Sequence, residues 1–424
     1  MSLYNITEHK IPCQHIREYP KAVSATQEDV LHLAVKQYVP KDNLVPQPGD
    51  ITIIAAHANG FPKELYEPLW DDLHAQAVQQ GFRIRGIWMA DVAQQGQSGI
   101  MNQELLGNDP NWNDHPRDLL HLINLMRDEM PRPFIGIGHS MGGCHIVNLA
   151  YLHPRLFTTL ILIDPVIQTL SVISPDQGPS PARLSTFRRD LWSSREDAAK
   201  GFKASRFYQQ WDPRVLERWI EYGLRDVPAL LDSTEKNLAQ EGKRPVTLTT
   251  SIHQEVFTFV RPNYEGYGIN GKPVSRKTHA DLNPTLPLIF PFYRAEAAQA
   301  FFRLPELRPS VLYIFGGKSE VCPPDSCKIK IDLTGVGVGG SGGAPLGRVC
   351  SVLLEEHGHL LPMEATGKTA KHTGDWISKE WQLWRKDEAE HRRTWLSRPL
   401  REKQTLDDRW RKMIGGPFVR TTKL

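Results

Sequence analysis

The chain has 424 residues, of which 40% are hydrophobic and 23% charged, a composition typical of a globular protein with a sizeable core. Its 51 basic and 48 acidic residues give a formal net charge of +3, which does not favour nucleic acid or an anionic membrane as partner. Five cysteines without zinc-site spacing predict a reduced intracellular compartment and no bound metal. The N-terminus lacks the apolar stretch of a secretory signal, and no apolar run approaches the roughly 18 residues of a membrane span.

The first part of the chain alternates predicted strands and helices. Two segments within residues 1–50 alternate apolar and polar residues, which predicts antiparallel strands. Continuous apolar runs at 50–60, 82–92, 133–138 and 158–167 then predict buried strands, with segments of helical spacing between them. Because strands that are apolar on both faces alternate with helices, the pattern predicts an α/β protein with a mostly parallel central sheet covered by helices on both faces.

The helix between the first two of these buried strands has a recognisable apolar face. Leu65, Leu69, Leu73 and Val78 recur near one face at helical spacing, and Gly81 predicts the end of the helix.

The alternation breaks after the strand at 158–167. A Pro/Ser-rich stretch is followed by segments with aromatic residues and helical spacing, the first over residues 190–202. Buried strands resume only at 309–317 and 348–359. The predicted organisation is a core formed by residues 1–165 and 306–365, an inserted cap over the carboxyl edge of the sheet at 166–305, and a C-terminal helical extension at 366–424.

The segment GHSMG at residues 138–142 separates a predicted strand from a helix predicted over about 141–152. It is the G-x-S-x-G pattern of a nucleophile elbow, a tight strand-to-helix turn that exposes a serine hydroxyl above a parallel sheet. Small residues at the outer positions avoid clashes in the strained turn, and the helix N-terminus favours developing negative charge. The pattern therefore predicts Ser140 as a catalytic nucleophile.

A serine hydroxyl needs a base that takes its proton, and in this kind of site the base is a histidine late in the chain. His359 follows the last predicted strand, and Gly358 before it permits a sharp turn. His357 is the nearest rival. We predict His359 as the base.

Two carboxylates compete as the acid that would orient this histidine. Asp164 ends the strand that follows the elbow helix, whereas Glu320 follows the next core strand, where many enzymes of this kind carry their acid. Either could hold the imidazole. The residues favour Asp164 and leave Glu320 as the alternative acid.

Two backbone N–H groups are expected to hold the negatively charged oxygen of the reacting carbonyl. One should belong to Met141, directly after the nucleophile, and the other to the loop that follows the strand at 50–60. Asn59 is the candidate in that loop. Ala58 stands where such loops commonly carry glycine, and a Gly/Pro turn without a catalytic role is the alternative.

Several longer segments resemble a fungal group of peroxisomal α/β-hydrolases from secondary metabolism. They include "IWMADVAQQGQSGI", "NLAYLHPRLFTTLILIDPVIQ" and "GHLLPME", and the likeness covers about residues 5–170 and 308–365. The group includes the acyl-CoA hydrolase of the mycophenolic acid pathway and hydrolases of host-selective toxin clusters. The resemblance implies the α/β-hydrolase fold with a cap, and a Ser-Asp-His triad that carries over to Ser140, Asp164 and His359.

We predict a serine hydrolase that acts on an acyl-CoA thioester through an acyl-enzyme, without a cofactor, whereas the identity of the acyl group does not follow from the resemblance. Carboxylester or lactone hydrolysis, or acyl transfer on the same triad, is the alternative, and a non-catalytic binding protein with this fold is a third reading. Epoxide hydrolysis is disfavoured, because its nucleophile is an aspartate and position 140 is serine. The glycine-rich loop at 335–345 follows no strong strand and opens no helix, so we do not predict a phosphate cradle there.

Residues of the predicted cap are candidates for contacts with the acyl-CoA. The aromatic candidates for an acyl pocket, which packing inside the cap would explain equally, are Trp192, Phe207, Tyr208 and Trp211. The basic candidates for CoA phosphates, which a solvated face would also explain, are Arg183, Arg188 and Arg189.

The last residues, Thr422-Lys423-Leu424, are close to the Ser-Lys-Leu address that the peroxisomal import receptor reads. A frayed basic tail is the alternative. Together with the resemblance, this signal predicts the peroxisome matrix, or the cytosol if the signal is weak. The oligomeric state stays open, a homodimer included.

Overall fold

The computed structural model describes residues 2–169, 180–227, 244–266, 271–282 and 290–416. The chain divides into two compact units, Met1–Ser378 and Lys379–Leu424. The predicted peroxisomal address at Thr422-Lys423-Leu424 lies outside the described residues.

The first unit carries the strands and most of the helices. Its strands are β1 (Tyr4–Pro12), β2 (His32–Pro40), β3 (Ile51–Ala56), β4 (Ile84–Ala90), β5 (Phe134–His139), β6 (Phe157–Ile163), β7 (Leu191–Trp192), β8 (Leu224–Asp226), β9 (Val246–Leu248), β10 (Arg261–Pro262), β11 (Phe292–Tyr293), β12 (Ser310–Gly316) and β13 (Val349–Leu354). Its α-helices are α1 (Glu67–Gln80), α2 (Gly96–Met101), α3 (Asp114–Leu125), α4 (Met141–Leu152), α5 (Pro181–Thr186), α6 (Arg195–Ala204), α7 (Pro213–Tyr222), α8 (Ile252–Phe259), α9 (Glu296–Phe302), α10 (Pro324–Leu333), α11 (Leu361–Glu364) and the first part of α12 (Thr366–His391). The second unit continues α12 and adds a π-helical turn (Arg392–Leu396), α13 (Leu400–Gln404) and α14 (Asp408–Ile414).

Eight strands form the central sheet in the order β1-β2-β4-β3-β5-β6-β12-β13. β2 pairs antiparallel with β1 and β4, whereas the remaining neighbours pair parallel, which confirms the predicted mostly parallel sheet. The chain runs outward from β3 to β4 and then returns to β5 on the other side of β3. At such a switch point the loops beyond the carboxyl ends diverge and leave a crevice. The loop after β3 and the turn after β5 therefore meet there.

Both faces of the strands in the middle of the sheet are buried. Ile54 and Leu162 belong to the main hydrophobic core together with residues of α3, α4 and α9. Ile53 points to the opposite face and is equally inaccessible. On that opposite face the indole of Trp376, from α12, donates a hydrogen bond to Thr159 Oγ1 at 2.8 Å. Burial on both sides explains why the strands read as continuous apolar runs.

The predicted apolar face of α1 is confirmed for three of its four residues. Leu69 and Leu73 of α1 are buried, as is Leu65 in the short 3₁₀ helix just before it (Lys63–Tyr66), but Val78 is 66% exposed, so its assignment to this face was wrong. At 100° per residue, position 78 falls well off the line through the leucines. Gly81 ends the helix as predicted, with a left-handed φ of 76° that favours glycine.

The predicted insertion contains its own small sheets, since β7, β9 and β8 pair antiparallel and β10 pairs with β11. The helix predicted over 190–202 begins later, at Arg195, because Ser194 Oγ accepts the Asp197 N–H and caps α6 there. Ala297 and Phe301 of α9 pack into the main core. The first unit spans both predicted core parts and the insertion, so the boundaries at 165/166 and 305/306 stay predictions.

Among the residues that the structure describes, no helix is both long and apolar enough to cross a membrane. Within the same residues, no group of three or more His, Cys, Asp or Glu side chains is arranged to hold a metal ion.

Candidate active site

Ser140 stands at the junction of β5 and α4, where the backbone turns sharply. Its φ of 57° and ψ of −119° are unusual for a residue other than glycine, and such strain is typical of a functional turn. A Cβ on Gly142 would lie 2.1 Å from the Ala56 carbonyl oxygen, and one on Gly138 would lie 2.4 Å from the Gly142 carbonyl oxygen. Gly142 is therefore needed for the turn to pack against the end of β3, and Gly138 for the turn to pack against the start of α4.

The structure brings the three residues predicted as a triad into direct contact. His359 Nε2 lies 2.8 Å from Ser140 Oγ, although the two residues are 219 positions apart in the chain. His359 Nδ1 lies 2.5 Å from Asp164 Oδ2. The imidazole comes from the loop between β13 and α11, and the carboxylate directly follows β6. The contacts form one continuous line from hydroxyl to carboxylate.

Asp164 is held as an ionised acceptor. Its carboxylate is inaccessible to solvent, and besides His359 it accepts hydrogen bonds from the Gly316 N–H (3.1 Å) and from Ser319 Oγ (2.5 Å). Burial alone would raise the pKa of Asp164, but the hydrogen bonds from His359, Ser319 and Gly316 outweigh it and the pKa is lowered. An ionised carboxylate at Nδ1 keeps the proton on that nitrogen, so that Nε2 offers its lone pair to Ser140.

The alternative residues lie elsewhere. The Glu320 side chain is exposed, and within the described residues no hydrogen bond or ion pair joins it to His359. His357 Nε2 lies 3.2 Å from Lys368 Nζ, and its Nδ1 is 4.0 Å from Glu364, so it faces the start of α12. His359 therefore lies against Ser140 and Asp164 lies against His359, whereas neither His357 nor Glu320 takes part in these contacts.

The loop after β3 packs against the elbow and carries the predicted second oxyanion donor. The Ala58 N–H donates to Tyr66 Oη at 2.8 Å, whereas in the described part of the chain no acceptor engages the N–H groups of Asn59 or Met141. Gln95 Nε2 donates to the Asn59 side-chain oxygen at 2.6 Å and holds this loop. Among the described residues both predicted donors thus have an N–H without an acceptor, and their role in catalysis stays a prediction.

Elements of the predicted insertion cover this loop. The side-chain amide of Asn59 donates to the backbone carbonyl of Glu255 in α8 at 3.0 Å. The ring of Phe61 packs edge-on against Trp211 and Trp219, with centroid separations of 5.8 and 6.0 Å. A loop that is anchored by both hydrogen bonds and aromatic contacts is well suited to hold a backbone donor in place.

The aromatic candidates for an acyl pocket differ in exposure. Trp192 and Trp211 are buried and Tyr208 is half-buried within an aromatic cluster of the insertion, which accounts for them as packing residues. Phe207 is 50% exposed. A role in acyl binding stays a prediction for all four.

The basic candidates also differ. Arg183 and Arg189 are exposed, and Arg189 lies 3.5 Å from Asp197. Arg188 is paired with the buried carboxylate of Glu255, which already neutralises its charge. Contact with CoA phosphates stays a prediction for each arginine.

Three residues around the candidate triad were not predicted from the sequence. Ser319 donates to Asp164, and Tyr66 contacts His139, whose other ring nitrogen lies 2.9 Å from the His359 carbonyl oxygen. His139 was visible as the variable residue inside the GHSMG motif. The other two had no local signal, because Tyr66, at the end of a short 3₁₀ helix, and Ser319, in the loop after β12, are brought to the site only by the order of strands in the sheet.

Two buried histidines on either side of Ser140 predict a pH-dependent stability. Burial lowers the pKa of His139 and His145 to about 3, and for His139 the nearby His359 adds to the effect. The unfolded chain protonates both near pH 6.5, so between pH 6.5 and 3 it binds more protons than the folded chain. The free energy of unfolding therefore decreases as the pH is lowered through this range. We expect a loss of about 2 kcal/mol per histidine between pH 7 and 5, measured by urea unfolding. Equal stability at both pH values would contradict this, and His145→Gln, unlike the control His153→Gln, should flatten the dependence.

Comparison with known proteins assigns the chain to a family. Residues 53–372 match a family described as "Alpha/beta hydrolase family". The Type I acyl-CoA thioesterase mpaH of Penicillium brevicompactum is 44% identical, over 97% of this chain and 95% of that protein. The protein of the same name from Penicillium roqueforti is also 44% identical, over 91% of this chain and 90% of its own length. The abhydrolase domain-containing protein AKT2 of Alternaria alternata is 28% identical, over 67% of this chain and 98% of its own length.

Solved structures support the fold. The peroxisomal alpha-beta-hydrolase Lpx1 from Saccharomyces cerevisiae superimposes with a TM-score of 0.65 at 18% identity, over 98% of this chain and 96% of that one. E-2-(Acetamidomethylene)succinate hydrolase superimposes with a TM-score of 0.52 at 14% identity, over 88% of this chain and 99% of that one. The sequence matches confirm the predicted family, and these structural matches agree with the predicted fold.

Proposed function

This chain is a hydrolase of the alpha/beta hydrolase family, and we propose that Ser140, His359 and Asp164 form its catalytic triad and that its substrate is an acyl-CoA thioester. The observation that carries the proposal is the line of contacts from Ser140 Oγ to His359 Nε2, 2.8 Å, and from Nδ1 to Asp164 Oδ2, 2.5 Å. The thioester is supported by the name of the relatives that are 44% identical over nearly the whole chain.

In the proposed acylation step, Ser140 Oγ attacks the thioester carbonyl while His359 Nε2 takes the hydroxyl proton. Asp164 stays ionised and stabilises the imidazolium without taking a proton itself. The lowered pKa of Asp164 supports this role, because the carboxylate stays charged at neutral pH. The N–H groups of Met141 and Asn59 are proposed to hold the oxygen of the tetrahedral intermediate.

The intermediate then collapses, the C–S bond breaks, and the imidazolium returns its proton to the departing CoA thiolate. Water enters beside the acyl-enzyme, His359 takes one of its protons, and attack on the ester carbonyl releases the acid and restores the serine hydroxyl. In acylation Nε2 takes a proton from the serine hydroxyl and gives it to the thiolate, and in deacylation it takes a proton from water and gives it to the serine oxygen.

Ester and lactone hydrolysis use the same oxyanion chemistry, and acyl transfer differs only in the acceptor that replaces water. The decisive experiment is therefore a panel of acyl-CoA substrates followed by thiol release, with matched oxygen esters, lactones and alternative acyl acceptors. We expect thioester turnover to exceed ester turnover, with water as the acceptor. A preference for esters would overturn the substrate class but keep the triad. Failure of a fluorophosphonate probe to label Ser140 would favour the non-catalytic binding protein.

Replacing Asp164 by asparagine is expected to lower kcat about 10⁴-fold, because an amide at Oδ2 no longer favours the imidazole tautomer that accepts the serine proton. Steady-state thioester hydrolysis measures the effect. Glu320→Gln is the matched control, since Glu320 is exposed and should leave kcat within about twofold of the parent. A larger loss in Glu320→Gln than in Asp164→Asn would assign the acid to Glu320 instead.

We propose that the enzyme acts in fungal secondary metabolism and reaches the peroxisome matrix through Thr422-Lys423-Leu424. A fluorescent protein fused in front of the full chain should then accumulate in peroxisomes, and removal of the three residues should return it to the cytosol. Unchanged peroxisomal import after the removal would contradict this address.

A further inference from the structure

Tyr66 links the loop that carries Asn59 to the loop that carries the catalytic histidine. Its Oη accepts the Ala58 N–H at 2.8 Å and lies 2.8 Å from His139 Nδ1. His139 Nε2 in turn lies 2.9 Å from the backbone carbonyl oxygen of His359. Ala58, Tyr66 and His139 are all buried, so water does not compete for these contacts. We name this chain of hydrogen bonds from Ala58 through Tyr66 and His139 to His359 the Tyr66–His139 link.

The protons in this link have one consistent arrangement. The His359 carbonyl can only accept, so His139 carries its proton on Nε2 and its Nδ1 is an acceptor. The Tyr66 hydroxyl must then donate to Nδ1, while its lone pair receives the Ala58 N–H. In this arrangement every hydrogen-bond donor of the link faces an acceptor.

The link keeps these protons at neutral pH. Burial, followed by the neighbouring His359, lowers the pKa of His139 to about 3, so the ring stays neutral. Burial raises the pKa of Tyr66 far above its ordinary value, so the phenol keeps its proton. The link is therefore a static support and does not relay the catalytic proton.

The two ends of the link lie on opposite sides of Ser140. At one end, Tyr66 accepts the Ala58 N–H. The N–H of the next residue, Asn59, has no acceptor among the described residues. The other end holds the backbone of His359, whose ring touches Ser140 Oγ. Both loops are thereby tied to His139, which belongs to rigid β5.

We infer that Tyr66 and His139 are positioning residues that hold the Asn59 loop and the His359 backbone in register around Ser140. The inference rests on the proposed function, because it assigns a purpose to groups that never touch the reacting atoms. A displacement of about 1 Å in either loop would misalign the base or the oxyanion donor, and errors of that size cost about 10²-fold in rate.

Tyr66→Phe tests the inference directly. It keeps the ring, which stacks on Trp70 at a centroid distance of 6.1 Å, but leaves the Ala58 N–H and His139 Nδ1 without partners. We expect kcat for thioester hydrolysis to fall about 10- to 100-fold with KM changed less than about threefold, since the substrate contacts remain. The rate of Ser140 labelling by a fluorophosphonate should fall in parallel.

Two variants of His139 divide the link. In His139→Gln the amide nitrogen can occupy the place of Nε2 and still donate to the His359 carbonyl, whereas His139→Asn supplies an acceptor for Tyr66 and loses the contact with His359. We expect His139→Asn to lose as much kcat as Tyr66→Phe and His139→Gln to retain more. If the link acts as a unit, Tyr66→Phe combined with His139→Asn should be no slower than the slower single variant. Additive losses in the double variant would contradict a single unit.

Tyr313→Phe is the matched control. Tyr313 is equally buried, and its hydroxyl bonds to Thr334 Oγ1 at 2.7 Å away from the candidate triad. It should lower the melting temperature about as much as Tyr66→Phe and leave kcat unchanged. A Tyr66→Phe enzyme with lowered melting temperature but kcat within twofold of the parent would overturn the inference. If Tyr66→Phe does not fold, the two His139 variants decide, and equal kcat in both would overturn it.

The same measurements separate this inference from the proposed function. If the parent enzyme labels at Ser140 but hydrolyses no thioester, the substrate class is wrong, and the labelling rates of the variants still test the link. If the fluorophosphonate does not label Ser140 in the parent enzyme, both the proposed triad and the positioning role of the Tyr66–His139 link are refuted.

Discussion

Ser140→Ala is expected to lower kcat/KM for hydrolysis by roughly 10⁵- to 10⁶-fold. The variant removes the nucleophile, and the remaining catalysis can come only from binding and the oxyanion donors. The hydroxyl is small and the elbow is held by Gly138 and Gly142, so the fold should persist. Intact mass after treatment with a fluorophosphonate measures the loss of the reactive group, and thiol release from an acyl-CoA measures the loss of turnover.

Ser378→Ala is a suitable control for this experiment. Ser378 is buried in α12. Among the described residues, the only hydrogen bond of its hydroxyl is to the Gln80 carbonyl oxygen, at 3.5 Å. This variant should label and turn over like the parent. More than about 1% of parental activity in purified Ser140→Ala, at constant melting temperature, would show that another group is the nucleophile.

His359→Asn is expected to cause a loss of similar size, roughly 10⁵- to 10⁶-fold in kcat, because a hydroxyl without a base is a poor nucleophile. The same substitution at His357 should leave kcat within about twofold, since His357 faces Lys368 and Glu364. The pair keeps the chemistry of the substitution constant and changes only the position, two residues apart in one loop.

Thioester turnover and the rate of Ser140 labelling should both fall in His359→Asn. Both should stay close to the parent values in His357→Asn. Combining Ser140→Ala with His359→Asn should add little to the loss of either alone, because the two groups act as a unit. Strong loss in His357→Asn with an active His359→Asn would reverse the assignment of the base.

Local patterns in the sequence were sufficient for most of the fold. Apolar runs between amphipathic segments predicted β3, β4, β5, β6 and β12, because strands buried on both faces need side chains that are apolar on both faces. The run at 348–359 also predicted a buried strand, but β13 lies at the edge of the sheet and exposes Ser351 and Leu353. The wrong position of Val78 and the late start of α6 at Arg195 both concern element details, where a face or a cap depends on one or two residues. Local signals do not fix the domain boundaries, because residues of the predicted insertion pack into the main core.

The choice between Asp164 and Glu320 needed the order of strands. Both residues follow core strands, so the residues favoured Asp164 but left Glu320 open, and the resemblance added support for Asp164. In the structure β6 lies directly beside β5, whereas β12 is one strand further away, about 4.8 Å along the sheet. Asp164 is therefore the carboxylate nearer to the elbow, and Ser319, which follows β12, supports it from the far side.

The sequence by itself determined the elbow, because the steric demands of a tight strand-to-helix turn are met by five consecutive residues around Ser140. It also determined which segments form most strands of the sheet, and the longer segments that resemble known hydrolases determined the family. Only the tertiary structure decided which groups surround the serine hydroxyl. The contacts of His359 with Asp164, and of Tyr66 with His139, join residues far apart in the chain, and such contacts follow from strand order and loop packing, which no local pattern of residues specifies.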